Sequence, residues 1–275
     1  MDSFDVRFSP QDSLLGGKAV LEMLASENSR FHASISKGYK SGGFNTSGSL
    51  DEPLRLFEPE ILWNIELGWI VEFEKSDASL RALLFKMDRS DVQISTSIVR
   101  VREDGSSEFV EFTGNAAEGV NQGLELEYAQ RVNDFVRIRA SLGLLNSRYS
   151  GYNSPAGEDL NGRDQAHAPS YQYSASATFG GVSDWFGDIS IQGQDGFYFS
   201  DTHDFQSDAH ALINLGLGRY IGDFEAHFWI KNLFDQEYSV RGFFFGNDPR
   251  TGYADTGWTQ MGNPRQFGIS IRKDF

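Results

Sequence analysis

The chain has 275 residues, a formal net charge of −15 and no cysteine. The acidic balance argues against a nucleic-acid partner, which needs a basic patch to meet phosphate. The missing thiols exclude disulfides, thiolate metal sites and a cysteine nucleophile.

Mean hydropathy is −0.41, and no apolar run approaches the ~18 residues of a transmembrane helix. A membrane strand needs only ~9–11 residues with every second one apolar, so a membrane stays open. The 29 glycines and 23 phenylalanines against 7 prolines suit a β-rich chain.

The opening residues, MDSFDVRFSP, show no basic segment followed by an apolar stretch, so no signal peptide is visible. Leu14–Ala25 and Arg30–Lys37 read as strands about a Ser26-Glu27-Asn28 turn, and a polar, glycine-rich loop runs from Gly38 to Glu58. The clearest alternation follows: Ile61, Trp63, Ile65, Leu67, Trp69, Val71 and Phe73 against Asn64, Glu66, Gly68 and Glu72. A two-residue period is the mark of a strand with one apolar and one polar face. After the turn Glu74–Asp77 a long strand extends from Ala78 to about Arg102. Asp104-Gly105 is a hairpin signal. Phe109–Phe112 pairs back, and the strand resumes over Asn121–Arg131.

The short turn Val132–Phe135 precedes a strand over Val136–Asn146, and a polar loop spans Ser147–Pro169. Ser170–Phe179, Trp185–Phe197, Asp208–Arg219 and Phe224–Leu233 read as further strands. Turns at Gly180–Asp184 and Tyr220–Asp223 alternate with a loop reaching Ser207 and a long loop from Phe234 to Asn263. The closing strand Pro264–Phe275 sets Phe267, Ile269, Ile271 and Phe275 opposite Gly268, Ser270, Arg272 and Asp274.

Connections therefore alternate short and long along about 11 strands, the rhythm of tight turns at one rim of a transmembrane barrel and long loops at the other. The fold expected is all-β, an antiparallel up-and-down transmembrane β-barrel, with Trp63, Trp69, Tyr171 and Phe179 as an interface girdle. An odd strand count predicts that the chain is part of a larger barrel. The same alternation also fits a soluble β-sandwich, whose apolar faces would form the core.

Five stretches lie in a fixed order over nearly the whole chain: SKGYKSGGFN (with Gly42, Gly43, Phe44 and Asn45), WNIELGW, GNAAEGVNQGLELEY, NLFDQEY (with Asn232, Leu233, Phe234, Asp235 and Tyr238) and GNPRQFGISIRKDF (with Pro264, Arg265 and Phe275). Together they resemble the C-terminal half of the β-barrel of TonB-dependent outer-membrane receptors. The resemblance implies a barrel of about 22 strands enclosing an N-terminal plug, which a TonB box couples to the energised TonB complex. It also implies uptake of a scarce small-molecule ligand, most often a ferric siderophore, with no enzymatic activity. The partners implied are outer-membrane lipid and the barrel-assembly machinery, and the C-terminus would be periplasmic.

On this reading residues 1–275 are a partial barrel domain without plug, TonB box or signal peptide, and would not transport alone. The alternatives are a self-contained passive outer-membrane channel and a soluble β-sandwich binding module. Lys273 departs from the family ending, where an apolar or aromatic residue is usual third from the end.

In the last long loop, Arg241, Arg250, Tyr253 and Trp258, with Arg265 beside them, are candidate contacts for an anionic, aromatic ligand such as a ferric catecholate, through charge and cation–π attraction. Asp201, His203, Asp204, Asp208 and His210 cluster in one loop, and Asn153–Asp164 superficially resembles a calcium loop. Both read as ordinary polar loops, so no metal site is expected. No G-x-S-x-G, P-loop or H-E-x-x-H motif occurs, and no catalytic residue or cofactor is expected.

Overall fold

Strands with unlike faces joined by short connections can pair only as antiparallel hairpins. The computed structural model describes residues 9, 11–102, 106–153, 159–182, 184–201 and 203–273. Its first strands are β1 (Gly17–Ser26), β2 (Ser29–Lys40), β3 (Gly43–Phe44), β4 (Leu56–Phe57) and β5 (Glu60–Phe73). There follow β6 (Ala78–Val101), β7 (Ser107–Arg131), β8 (Val136–Ser150), β9 (Tyr171–Val182) and β10 (Trp185–Gln194). The last are β11 (His210–Ile221), β12 (Phe224–Lys231), β13 (Ser239–Phe245), β14 (Thr256–Met261) and β15 (Gln266–Lys273).

Eleven strands form one antiparallel sheet in the order β1-β2-β5-β6-β7-β8-β9-β10-β11-β12-β15, while β3–β4 and β13–β14 are separate two-stranded sheets. Each strand pairs with the next main-sheet strand along the chain, so the topology is up-and-down, and the sheet is open, with β1 and β15 as its edges.

Register gathers the apolar side chains onto one face. One row runs Ala33–Leu67–Leu84–Leu124–Leu144 across β2, β5, β6, β7 and β8. Another runs Ile189–Leu215–Ile230–Phe267 across β10, β11, β12 and β15. Among the described residues nothing covers this face: Leu67 is 55% exposed and Ile269 71%, whereas Ser34 and Asn64 on the polar face are 5% and 8% exposed. A soluble sandwich requires the reverse, with the apolar face against a second layer. The sheet is inside-out for water and correct for lipid.

Two sequence expectations change. No break separates Phe112 from Asn121: β6 and β7 keep one register from Ala78↔Gln130 to Val101↔Ser107. Their upper halves rise beyond β5 and β8, whose pairing stops at Ile61↔Ser90 and Glu118↔Ser150, as a two-stranded ribbon. The Asp104-Gly105 hairpin signal at its tip lies outside the described residues. The long loops, read as irregular, also contain strands. Gly38–Glu58 holds β3, β4 and a 3-10 turn at Glu52–Leu54, and Phe234–Asn263 holds the β13–β14 hairpin.

Buried apolar clusters sit among these loops and the ribbon. Val92 and Ile94 pack with Tyr149, Tyr152 and Leu160, and Leu50 packs with Val110, Phe112, Leu54 and Ile98.

Candidate functional site

The long connections all leave one end of the sheet, opposite the short turns, and there they fold against one another. The β13–β14 hairpin is the centrepiece. Its register puts Arg241, Phe243 and Phe245 across from Gln260, Trp258 and Thr256 on one face, and Gly242, Phe244 and Gly257 on the other. The second face is pressed on the 195–209 loop. A Cβ at Gly242 would lie 2.2 Å from the Phe199 ring, and one at Gly257 2.6 Å from Phe205, so only glycine admits this approach. Phe244 lies 5.6 Å from the His203 ring. On the first face, Phe245 meets Phe109 of the β6–β7 ribbon edge-on at 5.0 Å. Four strands separate β7 from β12 in the sheet, so this contact joins the loop after β12 to a ribbon well away from it in the sheet.

The 195–209 loop is itself tied down. Arg163 pairs with Asp204 at 2.5 Å, donates to the His203 carbonyl and lies 4.1 Å over the Tyr198 ring. Asp201 accepts the Ala166 N–H at 2.9 Å and bonds the Tyr149 hydroxyl. Burial, with the Asp201 charge adding, pushes the Tyr152 hydroxyl up to about 12. Burial also pushes the His203 imidazole below its ordinary value; the Arg163 charge adds to this and Asp204 opposes it.

Between hairpin, loop and ribbon lies a cavity of about 890 Å³. Ser95, Thr96, Ser97, Phe109 and Glu111 line it from the ribbon, His167, Phe199, Asp201 and His203 from the loops, and Arg241 through Phe245 from β13. Arg241 stacks 4.8 Å over Phe243 and has no carboxylate partner among the described residues. Such a chamber offers aromatic faces, hydroxyls and one free guanidinium, the chemistry of non-covalent ligand capture.

Of the four loop residues singled out from the sequence, Arg241 lines this cavity and the others lie elsewhere in the same loop. Arg250 is clamped by Asp248, which accepts its backbone N–H and Nε at 2.9 Å and Nη2 at 2.8 Å. Tyr253 sits at φ 60 with its N–H on the Asp248 carbonyl. Trp258 donates Nε1–H to the Phe245 carbonyl at 3.3 Å.

The motif residues hold loops in place. Asn45 donates to the Leu54 and Thr113 carbonyls and accepts the Thr113 N–H, all within 2.9 Å. Gly42 and Gly43 pass so close to Phe57 that a Cβ would meet it at 2.8 and 2.6 Å, while Phe44 pairs with Leu56. Asn232 bonds Gln236 and Asn263, Leu233 donates to Ile213, and Phe234 is 71% exposed. Asp235 accepts the N–H of Arg265, just after Pro264. Tyr238 stacks on His210 at 4.6 Å. Phe275 lies outside the described residues.

The loop acids and histidines are used separately, and among the described residues no three His, Asp or Glu side chains converge as a metal set. Part of Asn153–Asp164 lies outside the described residues, and Asp164 pairs with Arg148 at 3.2 Å. Sequence reasoning missed Phe109, His167, Phe199 and Phe244. The signal was present in the FYF and FFF triplets of otherwise polar loops, residues 197–199 and 243–245.

Comparison with known proteins now adds to the fold. The family described as TonB dependent receptor-like, beta-barrel, matches residues 4–233. This chain belongs to the TonB-dependent receptor family. The pesticin receptor of Yersinia pestis is 23% identical to it over 273 residues, covering 97% of this chain and 37% of that protein. The pesticin receptor of Yersinia enterocolitica matches to the same extent. The chain thus spans little more than a third of the receptors it resembles.

Among solved structures, the ferric yersiniabactin uptake receptor FyuA from Yersinia pestis superposes with a TM-score of 0.74 at 20% identity, covering 94% of this chain and 37% of that one. The siderophore receptor PiuA from Acinetobacter baumannii gives 0.69 at 13% identity, covering 92% and 35%. At these identities the likeness establishes the receptor barrel fold.

Proposed function

We propose that the chain is the C-terminal part of the barrel of an outer-membrane receptor for energised uptake of a ferric siderophore. The family match supports the transport reading. The observation that carries the ligand reading is the cavity between hairpin, loop and ribbon, whose phenylalanines and Arg241 suit a metal chelate with aromatic character. FyuA is a ferric yersiniabactin uptake receptor and PiuA a siderophore receptor, which supports the same reading here.

On this reading the apolar face meets outer-membrane lipid, the cavity opens outside the cell, and the C-terminus is periplasmic. The barrel-assembly machinery inserts the strands, and a plug domain links the barrel to the TonB complex. The chain binds and admits; it performs no catalysis.

Disruption of the gene in its host tests this. Uptake of ⁵⁵Fe supplied as siderophore should fall to background under iron limitation, and return with the intact gene but not in a strain lacking TonB. Undiminished uptake of every ferric siderophore offered would overturn the reading.

A further inference from the structure

The charged groups on the cavity wall are Arg241, Glu111 and Asp201. Several arginines at this end of the sheet already face a carboxylate: Arg163 pairs with Asp204 at 2.5 Å, Arg89 with Glu60 at 2.7 Å and Arg250 with Asp248 at 2.8 Å, while Arg55 is turned to the Leu50 and Gly48 carbonyls. Arg100 pairs with Asp51 at 3.1 Å and Arg102 with Glu108 at 3.8 Å. On this wall, among the described residues, a ligand therefore meets one cation without a carboxylate partner and two carboxylates. The phenylalanine rings add apolar, electron-rich faces that repel anionic density and accept flat aromatic surface.

We propose that this wall selects a ferric chelate bearing aromatic rings and at most a single net negative charge, and that it turns away polyanionic chelates. The inference rests on the siderophore reading above and narrows it. A trianionic tris-catecholate, which needs several cations to replace its lost hydration, finds one. Like-charge repulsion from Glu111 and Asp201 grows as the cavity sheds water. A phenolate chelate of low charge needs only Arg241, stacks on the phenylalanines, and turns its neutral polar atoms to Ser95 and Ser97.

The test uses the receptor as its gene encodes it, purified in detergent, with binding read by calorimetry. Three ferric probes are compared: a trianionic tris-catecholate, a phenolate chelate of net charge zero or minus one, and a neutral tris-hydroxamate without rings. The phenolate chelate should bind at least about tenfold more tightly than the other two. Glu111 is exposed and its side chain has no ion-pair partner among the described residues, so Glu111→Gln should tighten the tris-catecholate by about three- to tenfold and the phenolate chelate by less than about twofold.

A tris-catecholate that binds as tightly as the phenolate chelate, or a Glu111→Gln receptor with an unaltered ratio, overturns the charge selection and leaves the siderophore reading standing. A tris-hydroxamate equal to the phenolate chelate overturns the aromatic requirement. Binding of none of the three overturns both inferences together.

Discussion

Asn232 and His203 show how single side chains set the long-loop end of this barrel. Asn232 is 4% exposed and sits at φ 51, a left-handed conformation that asparagine tolerates better than most residues. Its amide joins the two ends of the last long loop by donating to the Gln236 and Asn263 carbonyls, while its oxygen accepts the Gln236 N–H. The NLFDQEY motif was legible in sequence as a signature, and its work is this joint.

His203 is held below its ordinary value of 6.5 by burial and by Arg163, and its Nδ1 accepts the Phe205 N–H at 3.3 Å. The folded loop binds a proton less readily than the unfolded one. Its anchoring is thus fully present above about 6.5 and is lost as pH falls through the lower, folded value. Hydrogen exchange over residues 195–209 should accelerate between pH 7.5 and 5 relative to β9, and His203→Gln should flatten that difference. An unchanged pH dependence in the variant would remove His203 as the cause.

At the scale of elements, the β13–β14 hairpin was read as irregular loop. Ser239–Phe245 does not alternate, because both of its faces are used: Phe245 toward Phe109, Phe244 toward His203. Periodicity finds strands with one apolar and one polar face, and Phe243, Phe244 and Phe245 put apolar side chains on both faces of this one. Glycines at 242 and 257 fit the hairpin to Phe199 and Phe205. Gly242→Val should lift the hairpin from the 195–209 loop, weaken ligand binding by about tenfold or more, and leave heat-modifiable gel mobility of the barrel unchanged. Wild-type affinity in this variant would show that the hairpin contact does not shape the site. Arg241 and Arg250 belong to the same loop and looked equivalent in sequence. The turn at Pro249–Thr251 gives Arg250 to Asp248, and the strand leaves Arg241 free.

For the whole molecule, the decisive feature is which face of the sheet is wet. Leu142 belongs to the apolar row with Leu126, and its neighbour Ser141 to the polar face, where it bonds Ser174 at 2.8 Å. In vesicles, Leu142→Arg should cost about 2–4 kcal/mol of unfolding free energy. Ser141→Arg should cost far less, because its side chain stays in water. Equal losses at the two positions, measured by denaturant titration, would contradict a lipid-facing row.

The sequence by itself determined the strands of the main sheet, their up-and-down order, the alternation of short and long connections, and the family. All of these follow from local rules: a two-residue period fixed by backbone geometry, turn residues, and short motifs. Tertiary structure decided the rest. It turned the apolar face outward, which alternation leaves open. It folded the loops into a chamber through contacts such as Phe109–Phe245, between residues far apart in the chain. It also left Arg241 without a carboxylate partner among the described residues, because an arginine's availability depends on which carboxylate the fold brings within reach, and no local pattern records that.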